Sequence, residues 1–150
     1  MPQSLANLLV HLIFSTKNRE RFLDAQLRPE LYAYCGGILR DLESPALAIG
    51  GADDHLHLLC GLSKKLAPCK LVEEVKRGSS RWIKGRSAAF SGFYWQHGYG
   101  MFSVSESNRD AVTAYITSQE EHHQKMTFQE EFRHFLEKHR MVYDEQYVWD

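Results

Sequence analysis

Cysteine, proline and long apolar runs are all scarce in this 150-residue sequence, which has three Cys and four Pro. Cys35, Cys60 and Cys69 are odd in number and make no C-x-x-C pair. That argues against a disulfide framework and for a reducing compartment. The apolar stretch Leu8 to Phe14 is interrupted by His11 and is far shorter than the ~20 residues a membrane span needs. No basic flank precedes it and no small-residue cleavage site follows, so it does not read as a signal peptide. The expectation is a cytoplasmic protein with no membrane partner. No internal repeat or low-complexity tract is visible, which sets aside solenoids and disordered linkers. With 43% hydrophobic, 12% aromatic and 25% charged residues, the chain has ordinary globular usage. Its length suits one domain, residues 1–150, large enough to bury roughly 68–70% of its unfolded surface.

Neither sign of charge dominates, since the net is −1. The distribution is uneven, however. Residues 1–63 carry a net of −2, residues 64–86 a net of +6, and residues 87–150 a net of −5. Such asymmetry can build a face for a polyanion. Leu8–Phe14 is apolar on both faces and predicts a central strand. Leu31, Tyr34, Cys35, Ile38, Leu39 and Leu42 recur at three- and four-residue spacing, predicting an amphipathic helix that starts near Asp24 or Pro29. Ala46–Gly50 and His55–Gly61 read as strands joined by a turn, and Cys69–Gly85 as a second helix. Phe90–Ser105, aromatic and glycine-rich, reads as one or two strands with a bend. Ser107 to about His123 and Thr127 to about Arg140 read as closing helices, the last opened by a capping box. The order β-α-β-β-α-β followed by helices predicts an α+β fold, a ferredoxin-like split βαβ antiparallel sheet with C-terminal helices.

His55-Leu-His57 is the sharpest local feature. Residues two apart on a strand share a face, so both imidazoles leave one side while Leu56 and Leu58 enter the other. Two neutral imidazoles are half a metal site, or equally two polar residues on a wet sheet face. Tyr115 and Gln119, four apart, place a phenol and a carboxamide on one helical face. Tyr115 also reads as a core aromatic beside Val112 and Ile116. His122 and His123 follow, either as further ligands or as a solvated pair at a helix end. Lys70, Arg77, Arg81 and Lys84 fall on one stripe of the second helix, where they either meet phosphates or are simply solvated. The aromatics of Phe93-Tyr-Trp-Gln-His-Gly-Tyr-Gly-Met-Phe102 would stack on unpaired bases if exposed and pack the sheet if buried.

In this order and spacing the motifs resemble the single-tyrosine HUH transposases of small bacterial insertion sequences, the IS200-like group. The resemblance rests on His11-Leu-Ile-Phe-Ser-Thr-Lys-Asn18, Gly50-Gly-Ala-Asp-Asp-His-Leu-His-Leu-Leu59, Ser79-Ser-Arg-Trp-Ile83, Trp95-Gln-His-Gly-Tyr-Gly-Met-Phe-Ser-Val-Ser105 and Tyr115-Ile-Thr-Ser-Gln-Glu-Glu-His-His123. It implies His55, His57 and Gln119 as metal ligands, Tyr115 as nucleophile, and Mg²⁺ or Mn²⁺ as cofactor. It also implies a homodimer, in which the tyrosine helix of one subunit can complete the partner's site. The implied reaction cuts and rejoins single-stranded DNA beside hairpins through a 5′-phosphotyrosine. Lys70, Arg77, Arg81 and Lys84 are then the expected DNA contacts. Asp54, on the opposite strand face, is expected to matter less than the histidines, supporting a ligand or the turn rather than binding the metal. The Phe93–Phe102 segment is the expected pairing edge of the dimer. Alternatives are a non-catalytic single-strand-binding module, a domesticated HUH endonuclease, or a small metallohydrolase using Asp53 or Asp54.

Overall fold

The computed structural model describes residues 2–150, apart from the side chain of His122. Strands β1 (Leu9–Ser15), β2 (Ala46–Ala52), β3 (His55–Gly61) and β4 (Gly100–Val104) form one sheet in the order β2-β3-β1-β4. Every neighbouring pair is antiparallel. Helix α1 (Leu27–Asp41) follows β1 and α2 (Pro68–Lys84) follows β3. The split βαβ arrangement expected from the chain order is therefore the one observed.

Alternation along the strands decides what each sheet face meets. Val10, Leu12 and Phe14 of β1 join Leu56, Leu58 and Cys60 of β3 in a core with α1 and α2. Helix α2 contributes Leu71, Val72, Val75 and Ile83, all buried and spaced at helical period, and Pro68 opens it where a missing N–H costs nothing. Truncating one such leucine to alanine costs about 2–5 kcal/mol. Cys35 and Cys60 are buried here and Cys69 is exposed, all three as free thiols.

The other sheet face is covered as well, by α3 (Arg109–Thr117), α4 (Gln119–His122) and α5 (Phe128–Lys138). Two separate apolar clusters hold them. Leu9, Ala48 and Leu59 meet Ile116 of α3, while Ile13 and Phe102 meet Phe128, Phe132 and Leu136 of α5. Two glycines permit these close approaches. A Cβ on Gly50 would stand 2.1 Å from the Ile116 carbonyl oxygen, and one on Gly100 would stand 2.5 Å from the Phe132 ring. Thr127 caps α5 by accepting a hydrogen bond from the Glu130 N–H at 3.2 Å.

One expectation on elements needs correction, and two open readings are decided. Phe90–Ser105 contains one strand, Gly100–Val104, preceded by an irregular segment with a single bridge from Trp95 to Thr16. The carbonyls of Gln96, His97 and Gly98 are taken by the Lys76 ammonium, at 2.7, 3.1 and 2.7 Å, rather than by a neighbouring strand. The helix expected over residues 107–123 begins with a 3₁₀ turn and breaks at Ser118, where φ is −106° and ψ 23°. The face bearing His55 and His57 is not wet, because the C-terminal helices roof it.

Candidate active site and metal centre

Between the two apolar clusters under α3 and α5 runs a polar strip of His11, His57 and His55, each no more than 2% exposed. Polar groups buried this far must be paired. Strand register brings them together: His55 lies opposite Ser15, His57 opposite Ile13, and His11 opposite Leu59. His55 and His57 do share one face, as the two-residue period requires.

Each imidazole is fixed by an outer partner. Asp54 Oδ1 lies 2.7 Å from His55 Nδ1, and His11 Nε2 lies 2.8 Å from His57 Nδ1. Asp54 thus takes the supporting position expected of it, behind a ligand rather than in the centre, although on the strand face opposite to its expected direction. Its side chain curls back from the turn to orient His55, a role that carboxylates commonly play behind a metal-ligating histidine. The turn itself is anchored, since Asp54 O accepts from Thr16 N at 2.8 Å and Asp53 O from Leu23 N at 2.9 Å. The buried Arg28 of α1 binds Asp53 at 2.7 Å and also pairs with Glu120, so it braces the chain next to His55 and next to Gln119 together.

The Nε2 atoms of both histidines point inward to a shared centre. Gln119 Oε1 lies 3.1 Å from His55 Nε2, although the helix break puts Gln119 on α4 and Tyr115 on α3. Glu131 of α5, 1% exposed, enters the same centre. Its Oε1 lies 2.9 Å from His57 Nε2, 3.0 Å from His123 Nε2 and 3.6 Å from His55 Nε2. Its Oε2 accepts a hydrogen bond from the Tyr115 hydroxyl. His123 Nε2 also lies 3.0 Å from Gln119 Oε1. The Tyr115 ring is 5.9 Å from that of His57, centroid to centroid. The side chain of His122, the other candidate ligand, lies outside the described residues.

Protonation follows from this packing. Burial would push the Glu131 carboxyl up, but hydrogen bonds from His123 and His57 outweigh it and hold the carboxyl well below the usual range. Burial lowers His57 to about 4, against the pull of Glu131, and lowers His11 to about 2 with the help of His57. Burial lowers His123 too, yet its bond to Glu131 leaves it raised on balance. The Tyr115 phenol is raised above its ordinary value by burial and then by the adjacent carboxylate.

The donor set fits a divalent cation. With its Nδ1–H given to Asp54, His55 turns the Nε2 lone pair onto the oxygens of Gln119 and Glu131. Acceptors facing acceptors at such range are what a cation resolves. Ligand atoms about 2.1 Å from an ion and at right angles lie ~3.0 Å apart, close to the 2.9–3.1 Å separations here. The ligating atoms of His55, His57, His123 and Glu131 all lie within 4.8 Å of one another.

The expected DNA contacts sit elsewhere. Helix α2 covers the opposite sheet face, so its basic stripe points away from the histidines. Lys70 pairs with Glu74 at 3.1 Å, and Arg77 pairs with Glu73 and with Glu74. Half of the stripe is therefore locally neutralised. Arg81 is exposed, and the Lys84 ammonium lies 4.2 Å over the ring of Tyr94. Among the clustered aromatics, Phe93 and Trp95 are buried, while Tyr94 and Tyr99 are exposed.

Glu131 escaped the sequence reading. Its signal was present: Phe128, Glu131, Phe132, Phe135 and Leu136 keep the i, i+3, i+4, i+7, i+8 spacing of a buried stripe, and a carboxylate stands in it. For His11, strand position alone gives no sign that it supports His57.

A UPF0246 protein of Rhizorhabdus wittichii is 36% identical over 69 residues, 43% of this chain and 27% of that protein. The chain thus spans about a quarter of that relative's length. A crystallised transposase candidate from Deinococcus radiodurans shares the fold at TM-score 0.62 and 24% identity, over 77% of this chain and 95% of that one. A REP-associated tyrosine transposase bound to a REP hairpin shares it at TM-score 0.56 and 14% identity, over 77% and 68%. The sequence profile described as "Transposase IS200 like" matches residues 4–119, from before β1 to Gln119 itself. A match over that span means that the chain belongs to the IS200-like transposase family.

Proposed function

We infer that this protein cuts and rejoins single-stranded DNA beside hairpins, with Tyr115 as nucleophile and a divalent cation held by His55, His57, Gln119 and Glu131. The observation that carries this reading is the meeting of the Tyr115 hydroxyl and the imidazole–carboxamide cluster on one carboxylate, Glu131. The cation would polarise the scissile phosphate and steady the leaving oxygen as a Lewis acid. Imidazole nitrogen together with carboxylate and carboxamide oxygen suits Mn²⁺ better than the oxygen-demanding Mg²⁺.

The chain's own groups supply the rest. A phenol with a raised pKa is a poor nucleophile until its proton leaves. Glu131 Oε2 already accepts that hydrogen bond, so it orients the phenol oxygen and, too acidic to keep the proton, relays it toward the leaving 3′ oxygen as the O–P bond forms. Attack joins Tyr115 Oη to phosphorus and breaks the bond to the 3′ oxygen, giving a 5′-phosphotyrosine and a 3′-hydroxyl. The ester keeps the energy of the broken bond, so a second 3′-hydroxyl can rejoin the strand. His11 and Asp54 hold the two imidazoles in place throughout.

The REP-hairpin complex of the fold neighbour supports a hairpin partner. Lys70, Arg77, Arg81 and Lys84 are proposed to contact its phosphates, with Arg81 and Lys84 the stronger pair because Glu73 and Glu74 engage the other two. The sheet edge at β4, which takes in the end of the Phe93–Phe102 segment, is where a second copy is proposed to pair.

Incubation of labelled single-stranded hairpin DNA with Mn²⁺ tests the reading. A covalent adduct lost in Tyr115→Phe supports it. A mobility shift without adduct would indicate a binding module, and cut DNA without adduct a hydrolase.

A further inference from the structure

A cavity of about 530 Å³ opens between α3 and α5, directly beside the nucleophile. Tyr115, Glu131 and His11 form its inner end. Its floor is the partly exposed ring of Phe135, which stands edge-on to Tyr115 at 5.6 Å and to His11 at 5.1 Å. Ala111 and Val112 of α3 make the facing wall. The mouth carries exposed Asn108, His134 and Lys138.

We propose that this cavity holds an unpaired nucleobase: that of the nucleotide whose 5′ phosphate becomes joined to Tyr115. The inference rests on the transposase chemistry above and adds to it a position where the protein itself senses the cut strand. Four features point to this occupant. The volume lies within the ~300–1,000 Å³ of small-ligand sites. Apolar walls and an aromatic floor suit the two faces of a planar base, whose stacking on a protein ring is insensitive to sequence. The Asn108 carboxamide offers both donor and acceptor to a base edge. The mouth brings the Lys138 ammonium to the backbone, and Glu131, the one carboxylate among the described residues lining the cavity, is already engaged by His57, His123 and Tyr115.

Position makes the choice of nucleotide. Once the phosphotyrosine has formed, this nucleotide is tethered one sugar away from Tyr115 Oη, and the cavity is the space next to that atom. Holding its base would keep the 5′ end in register while the outgoing 3′ end is exchanged. The preceding nucleotide leaves with the 3′-hydroxyl and has no such need.

The test uses hairpin oligonucleotides with one abasic site, placed at this nucleotide, at the one before it, or several positions away. The rate of adduct formation is followed with the full chain and Mn²⁺. A parallel set carries 2-aminopurine at the same positions, read by fluorescence without metal. Loss of the base at the tethered nucleotide should slow the wild-type protein about 5- to 150-fold, the effect of losing one base–aromatic stack. Loss at the other positions should change the rate less than threefold, and only the tethered 2-aminopurine should be quenched. Ala111→Trp, at an exposed position on the cavity wall, should remove both the quenching and the sensitivity to the abasic site while its circular dichroism stays native. Equal rates with and without the tethered base, and no quenching, would overturn the proposal and leave the cleavage chemistry standing. Sensitivity at the preceding nucleotide would overturn the assignment of the occupant. No adduct with any oligonucleotide would instead overturn the chemistry on which the proposal rests.

Discussion

Replacing Glu131 by glutamine keeps the shape of the side chain and removes its charge. In the native site the carboxylate accepts three hydrogen bonds, two at Oε1 from His57 and His123 and one at Oε2 from Tyr115. A bond to a charged group contributes about 1.5–3 kcal/mol and a neutral one about 0.5–1.5, so roughly 1 kcal/mol is lost at each. Only one end of the carboxamide can accept, so either the imidazoles or the phenol face an N–H₂. Cheaper burial of a neutral group offsets part of the sum, leaving a loss of about 1–3 kcal/mol in urea unfolding at pH 7. Removing the single anionic ligand should also weaken Mn²⁺ binding by tenfold or more in calorimetry. NMR should show the His123 imidazole titrating at lower pH than in the native protein, because Glu131 is what raises it. Unchanged stability together with unchanged Mn²⁺ affinity would refute the placing of Glu131 at the centre of the site.

Further outcomes follow from the same geometry. His11→Phe removes the partner of His57 Nδ1 and should weaken Mn²⁺ affinity about 10- to 100-fold, measured by calorimetry, with little change in fold. Gly50→Ala drives a methyl group into the Ile116 carbonyl at 2.1 Å. Backbone cannot rotate away as a side chain can, so a loss of about 1–3 kcal/mol or more in urea unfolding is expected, with adduct formation falling as α3 shifts. Acid should unfold the protein early. His57 and His11 stay neutral in the fold, at about 4 and about 2, whereas in the unfolded chain they bind protons below about 6.5. Stability is therefore full above pH 6.5 and falls on acidification, by about 2 kcal/mol per histidine at pH 5, with His123 offsetting a part. A flat urea midpoint from pH 7 to 5 would contradict the burial of these rings. Mixed Tyr115→Phe and His55→Ala chains should recover no adduct despite subunit exchange, because the phenol and the histidines meet within one chain.

The fold was largely legible because it depends on periodicity. The two-residue alternation of β3 put His55 and His57 on one face, and the three- and four-residue spacing in α1 and α2 marked their buried stripes. The split βαβ class followed from the chain order of strands and helices. What stayed hidden depends on partners far apart in sequence. Nothing local to Asp54 says that its side chain turns back onto His55, since strand alternation argues the reverse. Nothing local to Lys76 says that its ammonium takes three carbonyls of the 96–98 segment and keeps that segment out of the sheet. Tyr115 and Gln119 were paired by helical spacing, and they do converge, although through a break at Ser118 that spacing cannot reveal. Glu131 was readable in principle as a charge in an apolar stripe, but only the packing of α5 over the histidines gives that charge a purpose.

The most direct measurement of the central claim is the identity of the bond made to DNA. Hairpin DNA carrying a radiolabel at the scissile phosphate is incubated with the protein and Mn²⁺, the mixture is denatured and digested, and the labelled peptide is sequenced by mass spectrometry. The account predicts phosphate on the Tyr115 hydroxyl, attached to the 5′ side of the downstream fragment, with a free 3′-hydroxyl on the other. Label recovered only as free 5′-phosphorylated DNA, or on a residue other than Tyr115, would contradict it.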